Sequence, residues 1–208
     1  MRILVSALFL IAALQAEVRA QAPSGTAADT EVINMLPGVQ GFARPPTAFQ
    51  AGMSIAPMAR ATIFVRNVDE SLKLYRDILG LKPMFDNLWK GKGINAIMGT
   101  EGLDLRATVL MAGESVVGNI GIYQVSPDTE AVPAPRQTPD TRTGDFAVVF
   151  PTNDIWTLTE KIKAAGYVIV SPPVTLIERP GYKEQPVEMM FRDADGVLVN
   201  LVQAGVPE

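Results

Sequence analysis

The chain contains no histidine and no cysteine, so imidazole and thiol chemistry are closed to it and the usual zinc arrangements cannot be assembled. Arginine, lysine, tyrosine, carboxylates, amides and the backbone remain. Arg60 and Arg106 each fall in alternating runs that read as strands. A guanidinium offers a planar fork of donors to a carboxylate, a phosphate or an enolate-like oxygen. The same forks would also serve in ion pairs with Glu188 or Asp104. Tyr123 or Glu188 could move a proton if buried beside an arginine, because burial and neighbouring charge displace a pKa; no spacing selects either one. Asn200 brings an amide that meets a ligand or neighbouring backbone groups. Phe64, Phe146 and Trp89 could wall an apolar ligand, although a tryptophan also serves simply to cover a core. No glycine-rich phosphate loop or serine nucleophile elbow is present, and Arg192-Asp193-Ala194-Asp195-Gly196 lacks the length and closing glutamate of a calcium loop.

These residues must be held by regular elements. Ala61, Ile63 and Val65 alternate with Thr62 and Phe64, which predicts a strand. Asn67 is placed to cap a helix, with Glu70 where a capping box wants its acid. Val68, Leu72, Tyr75 and Leu79 then recur at helical spacing and Gly80 supplies the stop. Further strands are predicted at 81–85, 103–110 and 118–125, with a long loop or short helix over 86–102 carrying Trp89. A linker dense in proline covers 126–144. The syntax then returns: strand 146–150, cap Asn153, stripe Ile155, Leu158, Ile162 and Ala165, stop Gly166. A strand over 167–170, a proline-interrupted loop and a hairpin of 187–192 with 197–203 complete it. Sliding the first unit by 86 positions lays Asn67 on Asn153 and Gly80 on Gly166, an internal repeat of strand, helix and three strands.

The first twenty residues read as a secretory leader: Arg2, an apolar run over 3–14 and small residues before a cleavage point after Ala20. That run is short for a bilayer span, which takes about 20 apolar residues. Cleavage would leave an exported chain, periplasmic or secreted, with no membrane partner; a retained anchor is the alternative. Residues 21–58 read as a tail and surface arm, with a helical turn near 32–36. The modules follow at 59–127 and 144–205, joined by a linker at 128–143. The net charge of −4 comes from scattered residues and argues against nucleic acid, which needs clustered Lys and Arg.

From Val65 to Leu81 the run Val-Arg-Asn-Val-Asp-Glu-Ser-Leu-Lys-Leu-Tyr-Arg-Asp-Ile-Leu-Gly-Leu resembles the opening signature of the vicinal oxygen chelate superfamily, which includes glyoxalases, extradiol dioxygenases and bleomycin-resistance proteins. From Phe191 to Leu201, Phe-Arg-Asp-Ala-Asp-Gly-Val-Leu-Val-Asn-Leu resembles its closing signature. The resemblance implies an α+β fold of two βαβββ modules forming a cup-shaped pseudo-barrel around a small molecule. Metal-dependent members put a histidine at the start of each module's first strand and carboxylates on the last strands. The matching positions here are Arg60, Phe146, Asn200 and one of Ile122, Tyr123 or Gln124, so neither a metal nor another cofactor is expected.

Strand parity places Arg60, Thr62, Phe64, Arg106, Glu188, Arg192 and Asn200 in the cup, with Phe146 and Met190. The candidate substrate-binding residues are Arg60, Phe64, Trp89, Arg106, Gln124, Phe146 and Asn200, and the candidate catalytic residues are Tyr123 and Glu188. The leading functional reading is an exported protein that sequesters a small organic molecule in a metal-free cup. The alternatives are a metal-independent isomerase or lyase acting beside a carbonyl and an interaction module without a ligand. A homodimer pairing modules across chains stays open beside closure within one chain.

Overall fold

A computed structural model describes residues 30–36, 52, 57–115, 117–127 and 134–208; the segments expected to be a leader, 1–20, and the start of a tail, 21–29, lie outside them. The first module opens with β1 (Thr30–Asn34) and β2 (Arg60–Phe64), then α1 (Val68–Leu72), which runs on as a π-helical stretch over Lys73–Ile78. It continues with β3 (Lys82–Gly91), α2 (Lys92–Met98), β4 (Asp104–Met111) and β5 (Asn119–Ser126). The second contains β6 (Ala147–Thr152), α3 (Ile155–Ala164), β7 (Val168–Val174), β9 (Val187–Arg192) and β10 (Leu198–Gln203); β8 (Tyr182–Glu184) and β11 (Val206–Pro207) form a small separate ribbon.

Two sheets result, ordered β1-β3-β4-β5-β2 and β6-β10-β9-β7. In the first sheet β2 lies parallel to β5, in the second β6 lies parallel to β10, and the other pairs are antiparallel. This is the expected pair of βαβββ modules in an α+β fold, built as two open sheets with no closed barrel. Among the described residues no helix is long and apolar enough to cross a membrane.

Several local expectations change. Residues 30–34 form an edge strand rather than a helical turn, because β3 extends to Gly91 and offers β1 a partner along its whole length. Trp89 therefore lies in a strand, and only residues 92–98 form the short helix. Asn67 caps α1 as expected, its Oδ1 accepting from the Asp69 and Glu70 N–H groups, but Glu70 pairs with Lys73 instead of closing a capping box. In the second module the cap is Asp154, which accepts from the Thr157 N–H, so the two caps stand 87 residues apart rather than 86. The extra residue of the first helix is absorbed in its π-helical stretch, where the Leu79 N–H donates to the Leu74 carbonyl at 2.9 Å. Gly80 and Gly166, with φ of 76° and 81°, then end the two helices in the left-handed region that favours glycine.

One hydrophobic core joins the modules. Ile63, Leu74, Tyr75, Ile120 and Ile122 of the first pack in the same cluster as Ile155, Ile162, Met189, Phe191 and Leu201 of the second. At its edge the Tyr75 hydroxyl donates to Asp193 at 2.8 Å, and the Arg66 guanidinium grips Asp195 in the hairpin turn. Each sheet thus has a helix-covered face turned to the shared core and an opposite cup face.

Candidate functional site

Hydrogen bonds at the strand ends fix which side chains reach which face. In β5, Ile120 and Ile122 enter the core, and the Gln124 side-chain oxygen accepts from the Val68 N–H at 3.0 Å, the first amide of α1. The same hook recurs in the second module, where Gln203 accepts from the Ile155 N–H at 2.9 Å. An N-terminal helical amide has no partner within its own helix, so each glutamine ties the last strand of its module to the helix start. Asn119, Gly121, Tyr123 and Val125 must then occupy the cup face.

The pairing of β2 with β5 sets Arg60 beside Asn119, Thr62 beside Gly121 and Phe64 beside Tyr123. The Phe64 and Tyr123 rings meet edge to face, with centroids 5.8 Å apart. The guanidinium carbon of Arg60 lies 5.4 Å from the centroid of the Tyr123 ring. Gly121 lets the Thr62 and Tyr123 side chains close over it, since a Cβ there would come within 2.9 Å of Thr62 Oγ1 and 3.3 Å of Tyr123 Cε1. Burial pushes the Tyr123 phenol above its ordinary pKa, and Arg60 offsets only part of the shift; the group is protonated at neutral pH. Asn119 is 7 % exposed and its Oδ1 has no hydrogen-bond partner.

Farther along this face, Trp89, Leu105, Ala107 and Val125 meet Ile94 and Met98 of α2. The helix roofs that end of the sheet and leaves a shallow cleft between Asn95, Met98, Leu103 and Val125. The buried Trp89 indole N–H has no acceptor. Trp89 therefore shares the face with Arg60, Phe64 and Tyr123 but belongs to its apolar end.

On the second sheet Val199 and Leu201 enter the core, leaving Leu198, Asn200 and Val202 on the cup face. One row across it runs Val149, Asn200, Met190 and Ser171. Asn200 Nδ2 donates to Glu188 at 3.3 Å, while its buried Oδ1 has no partner. Val149 is 58 % exposed. Arg192 shares this face but is closed off by the chain that precedes β6: it donates to the carbonyls of Thr138 and Asp140 and to Asp145.

The nine candidate residues thus divide. Arg60, Phe64 and Tyr123 come together, with Trp89 on the same face; Glu188 and Asn200 come together on the other sheet. Arg106 is not in the cup. It pairs with Gln124 in register on the helix-covered face and is held by Asp86 at 2.8 Å and Asp69 at 3.0 Å. Gln124 is likewise turned away, its amide oxygen occupied by α1. Phe146 precedes β6 and is exposed. Asn119, absent from the expected set, stands directly opposite Arg60; its one signal in the sequence was its place at the start of the predicted fourth strand.

The glutamine hooks also correct the alignment of the two halves. Counted back from Gln124 and Gln203, Asn119 matches Leu198 and Gly121 matches Asn200; through the strand pairings Arg60 then matches Ala147, not Phe146. The four positions where the resemblance places metal ligands are therefore Arg60, Gly121, Ala147 and Asn200. Only the Asn200 amide offers a side-chain oxygen, which does not fit a hard divalent ion. Among the described residues no group of three or more Asp or Glu side chains could hold a metal.

No curated protein matches the sequence. Among solved structures, a glyoxalase family protein from Bacillus cereus superposes with a TM-score of 0.60 at 16% identity, covering 76% of this chain and 99% of its own. A glyoxylase/bleomycin resistance protein/dioxygenase domain from Frankia sp. EAN1pec gives a TM-score of 0.46 at 21% identity, covering 73% of this chain and 99% of its own. The sequence model of the Glyoxalase/Bleomycin resistance protein/Dioxygenase superfamily matches residues 57–201, a span that begins just before β2 and ends within β10. The two sheets, their repeated order and this match agree: the chain belongs to the Glyoxalase/Bleomycin resistance protein/Dioxygenase superfamily.

Proposed function

We propose that this protein is an exported, metal-independent member of its superfamily that binds a small organic molecule against its cup faces. The observation that carries the reading is the unmet hydrogen-bonding capacity there. Asn119 Oδ1 on one face and Asn200 Oδ1 on the other are buried without partners, on faces that also carry the exposed Phe64 and Val149. Buried polar atoms ordinarily find a partner, and a ligand would complete both. The contacts joining the modules run through the helix-covered side, so a second copy would let the first cup face of one chain close over the second face of another.

Binding explains the geometry better than proton transfer does. Tyr123 is held protonated, and Glu188 stands on the other sheet beside Asn200. Native mass spectrometry of the purified mature protein, with metal analysis, tests the reading. A co-purified organic molecule and no stoichiometric metal is the expected result; a stoichiometric metal would overturn it. Light scattering tests the dimer, and N-terminal sequencing of the periplasmic fraction tests cleavage after Ala20.

A further inference from the structure

We infer that the first cup face selects an aromatic carboxylate bearing a hydroxyl, with Arg60 taking the carboxylate, Asn119 Oδ1 accepting from the hydroxyl, and Phe64 and Tyr123 flanking the ring. The inference rests on the reading of the cup as a small-molecule site and names what that site takes.

A carboxylate on the ligand is the first requirement. Arg66, Arg76, Arg106, Arg136, Arg142 and Arg192 each pair with an aspartate. Among the described residues Arg60 and Arg179 have no carboxylate partner; Arg179 lies against the Tyr182 ring, and Arg60 lies against the Tyr123 ring on the cup face. Arg60 also donates a hydrogen bond to the Tyr123 hydroxyl, and the remaining donors of its fork are available to an incoming anion; a carboxylate matches them in shape and charge. Asn119 sets the second requirement. Its acceptor oxygen is buried at the neighbouring register position, so a ligand carrying only a carboxylate would leave it unmet, while a hydroxyl would satisfy it. The wall sets the third. Gly121 lets the Tyr123 ring lie close against the sheet, and Phe64, 57 % exposed and edge-on to Tyr123, offers a ring against which a planar molecule can lie.

Calorimetric titration with 3-hydroxybenzoate, benzoate, 3-hydroxybenzamide and 3-hydroxybenzylamine tests this directly. 3-Hydroxybenzoate is expected to bind tightest, with the amide and the amine weaker by about tenfold or more, the order of one charge-assisted hydrogen bond. Arg60→Gln, a change at an exposed side chain, should abolish the preference for the carboxylate over the amide. Asn119→Leu should abolish the preference for 3-hydroxybenzoate over benzoate and keep the preference for acid over amide. Equal binding of acid, amide and amine, or a charge preference that survives Arg60→Gln, would overturn the inference and leave small-molecule binding standing. If no probe binds and native mass spectrometry releases no organic molecule, the cup reading itself fails. A released ligand that is neutral or cationic also overturns the inference.

Discussion

Asp145 is the residue on which the second module's charge network turns. Its carboxylate accepts from Arg192 at 2.9 Å, from the Arg142 N–H at 2.9 Å and from Arg136 at 2.6 Å. These donors, Arg192 foremost, hold its pKa well below the ordinary carboxylate range. A value lower in the folded than in the unfolded chain stabilises the fold above the unfolded pKa of about 3.9, and that contribution is lost as the pH falls through the folded value. Asp145→Asn should therefore lower the Tm at pH 7, and the two melting curves should converge as the pH drops below about 4; differential scanning fluorimetry from pH 3 to 7 checks it. Asp193 behaves oppositely. Burial pushes its pKa up against the hydrogen bonds from Tyr75, Val197 and Asp195, so its ionisation opposes folding and the Tyr75 hydroxyl offsets part of the cost. Tyr75→Phe should lose about 1–2 kcal/mol in urea denaturation, the penalty of a buried acceptor left short of a donor.

Among the elements, the glutamine hooks are the sharpest test of how strand and helix are joined. Gln203→Leu leaves the Ile155 N–H without its acceptor at a half-buried helix start and should cost about 1–2 kcal/mol. Gln124→Leu should behave alike, and the two losses should add because the sites share no partner; chemical denaturation of the single and double variants measures this. Caps, stripes and glycine stops made both helices legible from the sequence, since each signal is local. Parity in β4 was not. Leu105, Ala107 and Val109 look like a face turned to the core, yet they lie in the cup, with α2 roofing Leu105 and Ala107, while Arg106 enters the helix-covered side because Asp86 and Asp69 receive it. Period-two reasoning separates the two faces of a strand but does not say which of them meets the main core, and here the apolar face is covered by α2 instead. The π-helical residue was hidden for a related reason: an offset taken from the helix stop cannot reveal an insertion upstream, and that single residue moved the counterpart of Arg60 from Phe146 to Ala147.

At the scale of the whole molecule, two modules share one core. Neither buries Tyr75, Phe150 and Ile162 alone, so the chain should unfold in one transition, with equal calorimetric and van't Hoff enthalpies; two resolved heat-absorption peaks would contradict this. Of the candidate site, the sequence displayed the aromatic and cationic members of the first face. It concealed Asn119, because an asparagine at a strand's first residue looks like turn punctuation until its register partner is known. Gly196 carries a wider consequence. A Cβ there would come 2.7 Å from the Arg136 carbonyl oxygen, so the backbone before β6 lies directly on the hairpin that grips the first module. What joins the halves is thus a built part of the second half, and the protein should divide unequally. Cut between residues 128 and 133, the two fragments should reassemble on mixing. Cut between 138 and 145, they should not, because the clasp over Arg192 would be shared between two chains.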